Sequence, residues 1–262
     1  MVIYKEANGI FKRLLASIGV NAARVDLELD KDQVRLGETV KGKITVTGGG
    51  IEQRIDGIKI SLVVTSRFKH DDQMKTVQQE VAYAVIDQPL VVGPEHPQTE
   101  IPVQFRLPYH IPLSTGKTRY HFETSLDIKS SVDPKDVDDI VVIPSKEVQM
   151  LFDAFSTLGF RLRTGSGEYN GRYQRFEFIP SSFMAGKLDE IELFFESLDD
   201  RINILMQLDK KVTGIFSGII DDLDLDERNV ALNLAYSKMT DKDSVCRILR
   251  GVIEKEYERI MY

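Results

Sequence analysis

The hydrophobic period of this chain changes once, near residue 22, and that change limits what the chain can fold into. Before it, Ile10, Phe11, Leu14, Leu15 and Ile18 recur at helical spacing and mark one apolar face. Lys5, Lys12 and Arg13 decorate the remainder, and Gly19 supplies a stop. After it the period is two. Val25, Leu27 and Leu29 alternate with Asp26, Glu28 and Asp30. Beyond a turn at Gly37, Val40, Gly42, Ile44 and Val46 alternate with Lys and Thr until Gly48-Gly49-Gly50. Further inward rows follow: Ile58 to Val64, then Val81, Tyr83 and Val85, then Ile101 to Leu107, then Tyr120 to Ile128, with Val141 to Ile143 as a last short strand. Short half-buried strands separated by turn residues predict an antiparallel sandwich. Strands here do not alternate with helices, which argues against a parallel α/β sheet.

The second half repeats the theme. Ser130 to Asp139 is polar, carries Pro134 and reads as the region between two domains. Ser145 then caps a helix whose buried stripe is Val148, Leu151, Phe152, Phe155 and Leu158, with Gly159 closing it. Strand patterns follow at Phe160 and Leu162, Phe176 and Phe178, Leu193 and Phe195, Ile202 to Leu208, and Val230 to Tyr236. A short helix is expected from about Val212 to Leu223. The tail from Asp241 is helical, with Val245, Ile248, Leu249, Val252, Ile253 and Ile260 as its stripe and Thr240 with Asp243 resembling a capping box. The expected fold class is therefore mainly β, two tandem sandwiches with helices at 1–21, at the start of the second sandwich and at the C-terminus. The domain bounds are 1–21, 22–144, 145–237 and 238–262.

Composition removes several functions. A formal charge of -7 over 262 residues, with both signs interspersed, lacks the basic footprint that nucleic acid requires. The single cysteine, Cys246, forbids an intrachain disulfide. Lys5, Glu6, Lys12 and Arg13 break up a signal-peptide core, and no stretch approaches the ~20 apolar residues of a membrane span. The chain reads as cytoplasmic.

Several stretches resemble the stage-zero sporulation-control protein M (SpoOM) family, an arrestin-like group of bacterial proteins. They are Leu14-Leu15-Ala16-Ser17-Ile18-Gly19-Val20, Gly37-Glu38-Thr39-Val40-Lys41-Gly42, Ile101-Pro102-Val103-Gln104-Phe105-Arg106-Leu107-Pro108 and Leu126-Asp127-Ile128-Lys129-Ser130-Ser131-Val132-Asp133-Pro134. In the second half they are Leu158-Gly159-Phe160-Arg161-Leu162-Arg163, Phe176-Glu177-Phe178-Ile179-Pro180 and Gly186-Lys187-Leu188-Asp189-Glu190-Ile191-Glu192. The resemblance covers about residues 10–236 and leaves the tail without a quotable motif. It implies two arrestin-like sandwiches, a regulatory role around sporulation or a related stress programme, and no catalytic residues.

The residues themselves offer little chemistry. His70 sits beside Asp71 and Asp72 in a hairpin turn, His96 lies between Pro94 and Pro97, and neither they nor His110 and His121 accompany a Ser or Cys in a strained motif. Gly116-Lys117-Thr118 lacks the upstream glycine of a phosphate loop, because Ile111 occupies that position. Asp222, Asp224 and Asp226 carry the odd-position acids of a calcium loop, but Glu227 and Asn233 stand where Gly and Glu are needed, so the stretch reads as an acidic turn. No metal and no cofactor are expected. Protein partners are, with a homo-oligomer left open. Phe11, Leu14, Leu15 and Ile18 form the expected partner face, and a membrane is the less favoured occupant of that face. Asp127, Lys129, Asp133 and Asp136 face Arg161 and Arg163 across the expected seam between domains, where opposite charges would set the inter-domain angle. The reading is a non-catalytic regulatory adaptor. A membrane-peripheral or structural protein is the alternative, and a hydrolase is further behind.

Overall fold

The computed structural model of the chain describes residues 22–129, 133–209 and 229–261. The helices expected over 1–21 and about 212–223 lie outside the described residues, as do Phe11, Leu14, Leu15, Ile18, Asp222, Asp224 and Asp226. The first unit is a sandwich. One sheet holds three strands in the order β1 (Arg24–Leu29), β3 (Thr39–Thr47), β8 (Gln98–Arg106). The other holds five in the order β2 (Gln33–Arg35), β10 (Lys135–Ile143), β9 (Thr118–Asp127), β5 (Gly57–His70), β6 (Gln73–Ile86). A small pair, β4 (Gln53–Ile55) with β7 (Leu90–Val92), completes it. Val25, Leu27, Ile44 and Val46 meet Ile58, Ile60, Leu62, Phe122 and Leu126 in the core. The edge-to-face pair of Phe105 and Phe122, 4.9 Å between centroids, joins β8 to β9 across that core.

Two expectations change. Lys135 to Asp139 is not a linker: it is the first part of β10, paired antiparallel to β9, and the end of β10 runs parallel to β2. Asp is a poor strand former, and the pattern hid the strand because the inward positions at this end are Asp136 and Asp138 rather than apolar residues. Tyr83 and Val85 point outward, 67% and 57% exposed. The inward positions are Ala82, Ala84 and Ile86, opposite Leu62, Ile60 and Ile58. The stretch is apolar in both phases, so alternation alone could not choose the face.

The second unit has one six-stranded antiparallel sheet among the described residues: β11 (Phe160–Leu162), β13 (Gln174–Pro180), β14 (Glu190–Ser197), β15 (Arg201–Asp209) and β16 (Asn229–Ala235) in order, with β12 (Glu168–Tyr169) paired to β13. Helix α1 (Lys146–Leu158) lies on its apolar face. The Phe152 ring is 5.1 Å from Phe176 and 5.9 Å from both Phe178 and Phe195, while Phe155 stacks on Phe178 at 4.4 Å. The caps are those expected: Ser145 Oγ accepts from Val148 N at 3.2 Å, and Gly159 sits at φ 90°, where a side chain would be strained. Helix α2 (Lys242–Met261) packs against α1. Its cap is shifted one residue from the expectation, because Asp241 Oδ1 takes Ser244 N at 2.7 Å. Among the described residues no helix is long and apolar enough to cross a membrane.

Phe155 is fully buried and joins α1 to two strands. Phe155→Ala should lower stability by about 3–5 kcal/mol, read by denaturant unfolding. A loss under about 1 kcal/mol would show that α1 does not anchor the sheet.

Candidate functional site

The site is the junction of the two units. It starts from short polar side chains at strand ends. Ser66, near the end of β5, and Thr118, opening β9, are fully buried and bonded to each other at 2.8 Å. A buried hydroxyl without a partner is costly, and here the second unit supplies the partners. Tyr169 N donates to Ser66 Oγ at 3.0 Å, and Thr118 Oγ1 donates to Gly167 O at 2.9 Å. The same carbonyl accepts from Thr115 Oγ1 and Gln174 Nε2, each at 2.9 Å. Gln174 also clasps Leu113: its Oε1 accepts from Leu113 N at 2.7 Å and its Nε2 donates to Leu113 O at 2.8 Å. Gly167 is required twice over. Its φ is 91°, and a Cβ would stand 2.5 Å from the Thr115 methyl.

A charge chain continues from this clasp. Lys117 Nζ pairs with Glu168 Oε2 at 2.9 Å, from the first unit to the second. Arg175 holds the other Glu168 oxygen and reaches Glu192 at 3.1 Å and Glu177 at 3.4 Å. Burial works against the Arg175 guanidinium's charge, but the carboxylates of Glu192, Glu168 and Glu177 hold its pKa above the ordinary value. Arg163 pairs with Glu177 at 2.7 Å and with Glu190. The charges expected at the seam therefore lie elsewhere. Lys129 pairs with Asp56 at 3.4 Å in the first unit, and the Asp127 carbonyl accepts from Asp56 N at 2.8 Å. Asp133 Oδ1 accepts from Ile128 N at 3.3 Å. Asp136 Oδ2 takes Leu27 N at 2.7 Å between the two sheets. Arg161 is exposed on β11 opposite Ile179. Lys117, which the turn reading of Gly116-Lys117-Thr118 had left without a task, carries the charge that crosses.

Beside the clasp lies a cleft of about 650 Å³. Gln79, Glu80 and Val81 of β6 form one wall, and the loop Tyr109–Pro112 closes one end. Phe194, Leu205 and Ala231, on the face of the second sheet opposite α1, form the floor, and Tyr169 and Tyr173 stand on the far side. The phenol of Tyr169 donates to Gln79 Oε1 at 3.2 Å between the two units, and Tyr173 meets Phe194 edge-on at 5.2 Å. Burial raises the pKa of both phenols. Sequence alternation could place these residues on strands but not bring β6 over the second sheet.

One titrating group stands apart from the junction. Asp138 shares the inward phase of β10 with Asp136, and one of its carboxyl oxygens is buried without a hydrogen-bond partner among the described residues. Its pKa is raised from 3.8 to about 7, first by burial and then by neighbouring Asp136, Asp26 and Asp139. A raised carboxyl favours the protonated folded state, so its contribution is fully present below about 3.8 and is lost as pH climbs through about 7. Asp138→Asn should therefore raise the melting temperature by an amount that grows between pH 4 and 7 and then levels; a gain independent of pH would contradict the assignment. At the junction, Gln174→Ala strips partners from Leu113 and Gly167 at a cost of about 1–3 kcal/mol. The Leu113 amide should then exchange hydrogen faster, and an unchanged rate would show that the clasp does not hold the units.

The sequence profile described as SpoOM protein matches residues 11–212. The sporulation-control protein spo0M of Bacillus subtilis (strain 168) is 30% identical over 263 residues, spanning 95% of this chain and 99% of the relative. The crystal structure of Spo0M, sporulation control protein, from Bacillus subtilis superposes with a TM-score of 0.79 at 27% identity, over 90% of this chain and 99% of that one. The match is one of mainly β architecture, and it runs through both units. The chain belongs to the SpoOM protein family.

Proposed function

We propose that this chain is a cytoplasmic regulator of sporulation or a related developmental programme, and that it works without catalysis as an adaptor for other proteins. The observation that carries the reading is the relationship to a sporulation-control protein along nearly the whole of both chains. The build of the molecule supports the adaptor part. The two units are clasped through buried hydroxyls, an amide and a buried carboxylate, which makes a rigid frame. That frame leaves one long strand, β6, at the end of its sheet, with its outer edge unpaired among the described residues. Such edges are where other chains add.

The test is replacement in Bacillus subtilis. A strain lacking its spo0M protein, expressing this chain at the native level, should recover heat-resistant spores toward the parental count. A strain that accumulates the folded chain and forms no more spores than the deletion would overturn the regulatory reading.

A further inference from the structure

The cleft brings together two things that a partner chain needs. The first is backbone. β6 is the end strand of the five-stranded sheet and runs for 14 residues, from Gln73 to Ile86. At Val81 it carries one residue more than β5, since Val63 faces Glu80 while Leu62 faces Ala82. This irregularity lies where the strand borders the cleft, and such bulges re-aim side chains at sheet edges. The second is an apolar seat. Phe194, Leu205 and Ala231 lie on the same face of neighbouring strands, and the polar Asn203 and Asn233 border them. The cleft's 650 Å³ falls within the ~300–1,000 Å³ of ordinary binding sites.

Charge narrows the occupant. Glu80 is already engaged, to Lys59 and Ser61 at 2.7 Å each, and these partners lower its pKa. Glu196 at the cleft is exposed, and among the described residues its carboxylate takes a neutral amide, Asn203 Nδ2 at 3.1 Å, and no cation. A cation is the complement of that carboxylate, and the chain as a whole is acidic, at -7.

We infer that the cleft binds an extended peptide segment of a partner protein, added as a strand along β6, with a bulky apolar side chain on Leu205 and Ala231 beside the buried Phe194 and a basic side chain at Glu196. The inference rests on the adaptor reading and names its site. Main-chain bonds to β6 supply affinity, and the floor and Glu196 supply selection.

The full chain is panned against phage displaying random dodecapeptides, and enriched peptides are measured by fluorescence anisotropy on three proteins. These are the wild type, Ala231→Arg, which fills the seat, and Glu196→Lys; both sites are exposed, so thermal melting should match the wild type. Enriched peptides should carry Lys or Arg near a large apolar residue. Ala231→Arg should weaken them at least about tenfold. Glu196→Lys should weaken them similarly, and a Lys→Glu or Arg→Glu change in the peptide should restore binding to that variant. Methylating alternate backbone nitrogens should abolish binding. Failure to enrich any peptide, affinities unchanged in both variants, or indifference to methylation would each overturn the site. Spore recovery separates the two claims. A chain that restores spores equally with Ala231→Arg keeps the regulator and loses the cleft, whereas a chain that binds peptides in the cleft but restores no spores keeps the cleft and loses the regulator.

Discussion

The carbonyl of Gly167 holds this molecule together. It accepts hydrogen bonds from Thr115, Thr118 and Gln174, and Gln174 in turn closes both polar groups of the Leu113 backbone. Ser66 and Thr118 are buried hydroxyls bonded to each other, and the second unit completes their bonding with Tyr169 N and Gly167 O. Burial without a partner costs roughly 1–3 kcal/mol for each group, so several such groups in one place bind the units more firmly than their individual net strengths suggest. The position of β6 over the second sheet follows from this clasp, and so does the cleft.

Charge at the junction is arranged by burial rather than by count. Glu168 is only 8% exposed and is flanked by Lys117 on one side and Arg175 on the other. An uncompensated buried carboxylate would be strongly destabilising, and two cations from different units prevent that. By contrast, Lys129 with Asp56 is a surface pair, with the Lys129 side chain 85% exposed, of a kind worth roughly 0–1 kcal/mol. Lys129 therefore has little leverage over the arrangement of the units. The leverage lies with Lys117, Glu168 and Arg175.

The first sandwich contains a different compromise. Its inward rows are apolar along most of each strand, but β10 places Asp136 and Asp138 on the inward phase. Asp136 supplies an acceptor to the Leu27 amide. Asp138 titrates at about 7, within the physiological range, because burial and the neighbouring carboxylates disfavour its anion. Two acids at inward positions are what made this strand read as a linker.

The sequence alone settled what depends on local periodicity and local chain geometry. Alternation marked β1, β3, β5, β8 and β9, and the helical stripe with Ser145 and Gly159 marked α1 to its caps. Those features are legible because burial of one face imposes a period of two or 3.6 on nearby residues. The family resemblance was also readable there, in the order of its motifs, and residues 11–212 bear it out. The tertiary structure decided what depends on residues far apart in the chain. Gly167, Gln174, Glu168 and Lys117 are ordinary polar or turn residues until the units meet, because a hydrogen-bond partner 49 to 61 positions away leaves no periodic trace. Tyr83 and Ala82 are both apolar enough to face inward, and only pairing with Leu62, Ile60 and Ile58 fixed the face. The cleft belongs to the same class. Its wall and floor come from β6 and the second sheet, and nothing short of the fold brings those surfaces opposite one another.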